Sequence, residues 1–531
     1  MTKEAKAAFN TSSTARGSSA SESSVDLEDY RRRIESAHVY DAAIKTPLVP
    51  AAQLSARLGN TILLKREDCQ PVHSFKLRGG YNKMALMDAK SRAQGVICAS
   101  AGNHAQGVAL GGQRLGVRAV IVMPQTTPAI KVRAVEGFGG EIVLAGNNYD
   151  EAAARAAEIQ ERDGLVYIPP YDDPDVIAGQ GTIAREILDQ HPDKLDAVFV
   201  CVGGGGMLAG VAAYIKAVRP AIQVIGVEPE DAASMGAALN ADERVILDRV
   251  GPFADGVAVK QAGALPFAIC RQTVDAMLTV STDELCAAIR DIYEDTRALA
   301  EPAGALGVAG AKVWIERTGA RDTTLAAIVS GANVNFDRLS YIAERAEIGE
   351  HREALLAVTI PEQPGAFQRF CHAIGDRSIS EFNYRYADAQ RAQIFVGVKL
   401  AHGISEREEL IQRLTGDGYD VLDMSGDEMA KIHVRHMVGG RAPGVGHEIL
   451  FRVQFPERPG ALRKFLDQLG DRWNISLFHY RNHGHAHGLV LIGMQVAPEQ
   501  HADCRAALDA IGYDYVEETD NPGYQRFLHG E

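Results

Sequence analysis

The stretch Pro71-Val72-His73-Ser74-Phe75-Lys76-Leu77-Arg78-Gly79-Gly80 sets a single lysine among a hydroxyl, an aromatic ring and two glycines. The residues after it, 81–94, have helix-forming composition, with Met84, Leu86 and Met87 available for burial. A lysine at the mouth of a helix lies beside the positive end of the helix dipole, which disfavours its charged form. Burial against Phe75 would act in the same direction. An amine made partly neutral in this way is a nucleophile able to form a Schiff base with a carbonyl. A lone lysine on a helix is more often simply solvated, so the meaning of Lys76 depends on the motifs that follow it.

From Asp26 to about Arg345 short apolar runs alternate with longer amphipathic ones. Strand candidates are 61–65, 96–99, 118–123, 141–144, 196–202, 223–227, 277–280 and 325–330. Helix-like segments between them include 104–115, 128–138, 149–163, 176–190 and 207–218. Apolar strands alternating with helices of this length predict an α/β fold with largely parallel sheets. Ligands in such folds collect at the carboxyl ends of strands.

Three motifs occupy such strand ends. Ser100-Ala101-Gly102-Asn103-His104-Ala105-Gln106-Gly107 follows one strand and opens a helix. Unpaired N–H groups there suit a carboxylate or a phosphate, and the Asn103 amide can meet a phenolic or carboxylate oxygen. Alone, Ser100 or Asn103 would serve equally well as an N-cap. Asp196-Ala197-Val198-Phe199-Val200-Cys201-Val202 runs into Gly203-Gly204-Gly205-Gly206-Met207. Four glycines let backbone N–H groups converge on a phosphate without obstruction from a Cβ. No Gly-Lys-Ser/Thr follows, so this is not a P-loop. Gly204-x-Gly206-x-x-Ala209, with Glu228 about 20 residues on, does fit a dinucleotide fingerprint, which makes a nicotinamide-dependent dehydrogenase the rival enzyme class. That rival leaves the Lys76 stretch and the Asn103 loop without a role. The third motif, Ala326-Ala327-Ile328-Val329-Ser330-Gly331-Ala332-Asn333, ends a strand in a serine hydroxyl and alone would read as a turn.

Ser-Phe-Lys-Leu-Arg-Gly, Ser-Ala-Gly-Asn-His-Ala-Gln-Gly, the tetraglycine and Ser-Gly-Ala-Asn, in that order, resemble the fold type II (tryptophan synthase β-like) pyridoxal-phosphate enzymes, and among them the threonine dehydratases. The resemblance implies that Lys76 is the Schiff-base lysine, flanked by Phe75, and that Asn103 partners the cofactor's phenolic oxygen. It assigns Gly203, Gly204, Gly205, Gly206 and Met207 to the phosphate and Ser330 to the pyridine nitrogen. Ser100, Gly102, Asn103 and His104 become the substrate-carboxylate loop, with Ser100 and Asn103 joining Lys76 in the catalytic set. The implied activity is deamination of L-threonine, with L-serine as a further substrate, to a 2-oxo acid and ammonia. Serine dehydratases, threonine synthases and racemases share the motifs and stay open as alternatives.

The remaining composition narrows the class. With 531 residues, 46% hydrophobic and 23% charged, the chain reads as an ordinary globular protein of several domains. A formal net charge of −14 speaks against a nucleic-acid partner or an anionic membrane surface. Cys69, Cys98, Cys201, Cys270, Cys286, Cys371 and Cys504 show no CxxC spacing and read as reduced thiols of a cytoplasmic protein. Residues 1–25, rich in Ser, Thr and Ala, read as a disordered tail. His483-x-His485-x-His487 has metal-like spacing, but Gly484 and Gly488 set it in a hairpin turn, so no metal site is expected.

Beyond Arg345 an internal repeat appears, with a period of about 95 residues. Ile360-Pro361-Glu362-Gln363-Pro364-Gly365 recurs as Phe455-Pro456-Glu457-Arg458-Pro459-Gly460, and Phe382-Asn383-Tyr384-Arg385 as Phe478-His479-Tyr480-Arg481. Each copy reads strand, helix, two strands, helix, strand. The plan resembles the ACT-like regulatory domains of biosynthetic threonine dehydratases, which implies inhibition by isoleucine, opposition by valine and a homotetramer. Tyr384 and Tyr480 are the expected effector contacts; packing between sheet and helix is their alternative. The expected organisation is a catalytic domain over 26–345, regulatory copies over 353–427 and 447–524, and a linker over 428–446. A non-enzymatic amino-acid sensor built on the repeat is the third reading.

Overall fold

A computed structural model of the chain describes residues 25–387, 389–437, 439–442, 444–456, 461–481 and 487–529. The tail before Val25, His483, His485 and repeat residues 457–460 lie outside them. The chain divides into two compact units, one of Met1–Pro50, Gly59–Leu278 and Ala320–Gly331, the other of Ala51–Leu58, Thr279–Gly319 and Ala332–Glu531.

The first unit holds two sheets. Glu141–Leu144, Ala119–Met123, Val96–Ala99 and Val166–Tyr167 form a four-stranded sheet, every pair parallel. The other sheet has the order Leu48–Pro50, Thr61–Arg66, Thr324–Val329, Ala197–Cys201, Gln223–Pro229, Ala276–Val280. Its first pair is antiparallel and the next three are parallel. Ala197–Cys201 is buried along its whole length, as a strand covered by helices on both faces must be. In the four-stranded sheet the alternation of side chains sorts the core into two layers. Ile97, Ala99, Val120 and Val122 meet Ala152, Ala156 and Ile159, whereas Cys98, Ile121 and Met123 meet Met84, Val108 and Ala109.

The helix at Lys76 differs from its reading in the sequence. It begins at Lys76 itself and ends at Ala85, and a second helix runs Ala89–Gln94. The break follows from Asp88, whose carboxylate accepts the Ser91 N–H at 2.7 Å and caps the second helix. Met84 is buried as expected, but Leu86, at the break, is exposed. Gly79 sits inside the first helix because a Cβ there would come within 2.4 Å of the Gln180 amide.

The second unit carries one eight-stranded antiparallel sheet built from both copies of the repeat. Ile379–Arg385 pairs with Asn474–Arg481, Phe382 opposite Tyr480 and Tyr384 opposite Phe478. Phe367 lies 4.6 Å from Phe382 and 4.9 Å from Phe478, ring centre to ring centre, so the copies share one aromatic core. Part of the stretch read as a linker is helical: a π-turn over Ala430–Val434 continues into Arg435–Met437. Among the described residues no helix is long and apolar enough to cross a membrane.

Candidate active site

Three of the sequence motifs meet around Lys76. The stretch Ser74–Phe75 is laced to the end of the strand Thr324–Val329, with a bridge from Ser74 to Gly331 and the Phe75 N–H donating to the Ser330 carbonyl at 3.2 Å. That strand runs parallel to Ala197–Cys201 with Ala327 opposite Phe199, so Ser330 and Val202 leave their strands side by side. The Cys201 thiol donates to the Ser330 hydroxyl at 3.3 Å. The tetraglycine therefore begins next to Ser330, at the carboxyl edge of the sheet.

The Lys76 amine donates to the Pro170 carbonyl at 3.1 Å and lies 5.2 Å from the centre of the Phe75 ring. Phe75 is thus a cation–π neighbour as well as an apolar wall. The helix Asn103–Leu115 crosses the Lys76 helix closely: a Cβ on Gly107 would stand 3.0 Å from the Leu77 nitrogen. This approach brings the Ser100 loop to the lysine. A Cβ on Gly102 would meet nothing within 4 Å, so the loop faces open space. His104 is buried and its Nε2–H donates to the Ile168 carbonyl at 2.8 Å. Burial first, and the positive charge of Lys76 second, push this imidazole down to about 3. It is a neutral ring whose one N–H is already committed.

Gly205 has φ +93°, where an L side chain is strained, and it N-caps the helix Gly206–Val218. A Cβ on Gly204 would fall 2.3 Å from the Tyr171 ring, and one on Gly203 3.0 Å from the Val257 Cα. The loop therefore has to be glycine, and it delivers its N–H groups to a helix N-terminus, the setting that holds a phosphate. A glycine loop shaped for a phosphate at the carboxyl edge of the six-stranded sheet, an amine, and an open glycine loop after a strand of the four-stranded sheet together fit pyridoxal phosphate.

The dinucleotide reading ends at Glu228. Its buried carboxylate accepts the N–H groups of Met235 and Gly236, both at 2.8 Å, at the start of the helix Ser234–Ala241. Burial pushes it up to about 7, against the pull of those two bonds. The acid that would hold a ribose is a helix cap.

Residues 39–331 match the pyridoxal-phosphate dependent enzyme family, and residues 344–434 and 439–528 each match the C-terminal regulatory domain of threonine dehydratase. The chain is 55% identical to the biosynthetic L-threonine dehydratase of Burkholderia multivorans over 94% of its own length and 99% of that protein's. It is also 55% identical to that of Escherichia coli, over 94% and 97%. The chain belongs to the biosynthetic threonine dehydratases. As a member of that family it is a pyridoxal-phosphate-dependent lyase with a regulatory C-terminal region. The processed threonine deaminase isoform 2 of Solanum lycopersicum superposes with TM-score 0.60 at 49% identity, covering 61% of this chain and 95% of that one. Maize serine racemase does so with TM-score 0.55 at 30%, covering 59% and 94%.

Tyr384 and Tyr480 lie in the second unit, both buried in the shared aromatic core, on adjacent central strands but not opposite each other. Tyr384 also lines a pocket with Ile360, Glu362, Phe367, Leu466, Trp473 and Asn474. Its hydroxyl donates to Glu362, which also accepts from the Asn474 amide at 2.8 Å. Burial first, then the hydrogen bond to Glu362 and its charge, push the Tyr384 phenol up. Reading the sequence missed Glu362 and Asn474 as site residues. The signal available was the position of Glu362 inside the repeated Pro-Glu-x-Pro-Gly turn.

Proposed function

We propose that the protein deaminates L-threonine to 2-oxobutanoate and ammonia in the cytoplasm, as the first step towards isoleucine, and that it also accepts L-serine. What supports this most is that the Lys76 amine, donating to the Pro170 carbonyl at 3.1 Å, follows Phe75, whose N–H donates to the Ser330 carbonyl at 3.2 Å, where the tetraglycine begins. Pyridoxal phosphate, when bound, supplies an aldehyde carbon for an amine and a ring that takes up the electron pair left by a departing α-proton. The N–H groups of Gly203, Gly204, Gly205, Gly206 and Met207 hold its phosphate. Asn103 meets its phenolic oxygen, Ser330 its ring nitrogen, and Phe75 and Lys76 border it.

Lys76 would take the substrate's α-proton as general base. Ser100, Gly102 and Asn103 receive the substrate carboxylate at the N-terminus of the helix Asn103–Leu115. His104 joins them through its backbone N–H only, because its imidazole N–H is bonded to Ile168. A hydroxyl at Ser330, unlike a carboxylate, does not force a proton onto the ring nitrogen, and this favours elimination over transamination.

In the second unit the proposal gives the Tyr384 pocket to isoleucine, with valine as its antagonist. Glu362 is the carboxylate for an α-ammonium, and Ile360, Phe367, Leu466 and Trp473 line the pocket for an aliphatic side chain. Tyr480 holds the corresponding place in the second copy. The assignment extends to a homotetramer and to the domain limits 26–345, 353–427 and 447–524. A 2-oxo-acid assay with threonine, repeated with isoleucine and then valine, tests the reading. Pyruvate from serine without 2-oxobutanoate from threonine would make the protein a serine dehydratase instead.

A further inference from the structure

Between the strand Val166–Tyr167 and the helix Pro174–Gln190, a few residues touch His104, Lys76 and the tetraglycine. The Ile168 carbonyl accepts from His104 at 2.8 Å and the Pro170 carbonyl accepts from Lys76 at 3.1 Å. The Asp172 carboxylate takes the N–H groups of Ala264 and Leu265 at 2.8 and 2.9 Å, while the neighbouring Gly263 N–H donates to the Gly204 carbonyl at 3.0 Å. Between them Tyr171 lies directly on the tetraglycine. The three atoms nearest a Cβ on Gly204 are Tyr171 ring atoms at 2.3–2.4 Å, and a Cβ on Gly206 would stand 2.9 Å from the Tyr171 Cα. Pro169 and Pro170 have no N–H to offer and fix φ, so the segment is stiff and its carbonyls point where they are set.

We propose that residues 168–172 act as a strap holding the amine, the carboxylate loop and the phosphate loop in register, and that Tyr171 is the positioning residue that sets the grip of the tetraglycine on a phosphate ester. The contact is a ring face on a main chain. A backbone held in place presents its N–H groups already oriented, so the loop is not ordered at the expense of binding. Gly204 lies outside the left-handed region of φ; the Tyr171 ring is therefore what an alanine there would strike. The inference rests on the assignment of the tetraglycine to the cofactor phosphate.

The apoenzyme is titrated with pyridoxal phosphate and with pyridoxal, which lacks the phosphate, and binding is read from absorbance. Tyr171→Ala is expected to lose on the order of tenfold or more in affinity for pyridoxal phosphate, with pyridoxal affinity held within about twofold and Tyr171→Phe restoring the difference. Gly204→Ala is expected to lose the same selectivity, and to lose far less of it in a Tyr171→Ala background, where the added methyl has room. Equal losses for both ligands in Tyr171→Ala, no loss at all, or additive effects in the double variant would overturn the proposal; if Tyr171→Ala fails to fold, Tyr171→Leu, which removes the ring but keeps apolar bulk, is read in its place, alone and with Gly204→Ala, with the same outcomes. No phosphate-selective loss in Gly204→Ala alone would instead overturn the tetraglycine assignment on which the proposal stands.

Discussion

Arg78 follows Lys76 by two residues on the same helix and is fully buried. Its guanidinium donates to Glu67 at 2.7 and 2.8 Å, to Glu186 at 2.7 and 3.0 Å and to Thr182 at 3.1 Å. Lys65, also buried, donates to Glu186 at 2.6 Å, so two carboxylates and two cations balance beneath the lysine. Arg78→Met keeps the aliphatic stem and leaves one buried carboxylate without a counter-charge, a change that costs about 3–5 kcal/mol. In a unit of this size that corresponds to a drop of roughly 5–9 °C in melting temperature. The loss has a pH signature. Burial alone would raise the Glu67 carboxyl, but the contacts with Arg78 hold it below the usual carboxylate range. A depressed acid stabilises the fold above its unfolded pKa, and that contribution disappears as pH falls through the folded value. Without Arg78 only Lys65 and the Thr46 hydroxyl still oppose burial, and the penalty grows as pH rises. Thermal unfolding of both proteins, saturated with pyridoxal phosphate at one scan rate, should show a larger deficit at pH 8 than at pH 5.5. A deficit under about 1 kcal/mol, or one equal at both pH values, would refute the reasoning.

Other perturbations have equally definite outcomes. Tyr384→Phe removes the hydroxyl bonded to Glu362 and should raise the isoleucine concentration for half-inhibition about tenfold, read in the 2-oxo-acid assay at fixed threonine. Gly205→Ala places a side chain at φ +93° and within 2.4 Å of Met235, so cofactor affinity should fall, measured by absorbance titration. His104 is neutral when folded, with its pKa depressed from 6.5 to about 3. Its contribution to stability is present above pH 6.5 and is lost as pH falls below it, by about 2 kcal/mol at pH 5. His104→Asn should melt with a correspondingly shallower loss between pH 7 and pH 5.

The strands of the first unit were legible because continuous apolar runs bounded by glycine and polar residues are what a sheet covered on both faces requires. Glu141–Leu144 and Tyr149–Asp163 have the boundaries read from the sequence. Leu48–Pro50 was not legible: it is three residues long, antiparallel and ends in proline. Pro302–Thr318 is alanine- and glycine-rich and buried over most of its length, so it lacks the polar face by which a helix announces itself. At the site, Lys76, Asn103 and the glycines could be singled out because their chemistry is local. Tyr171 could not, because only the fold brings it onto Gly204. Its one signal was indirect: four glycines in a row need something close to pack against. Glu228 misled for the converse reason, since the spacing that suggests a ribose ligand also suits an acid capping the next helix.

The central claim is that the Lys76 amine is the group joined to the cofactor. Borohydride reduction of the holoenzyme, followed by peptide mass analysis, tests it directly. The account predicts a pyridoxyl phosphate adduct on the peptide carrying Lys76, and none in Lys76→Ala. An adduct on another lysine, or equal labelling of the Lys76→Ala protein, would contradict it.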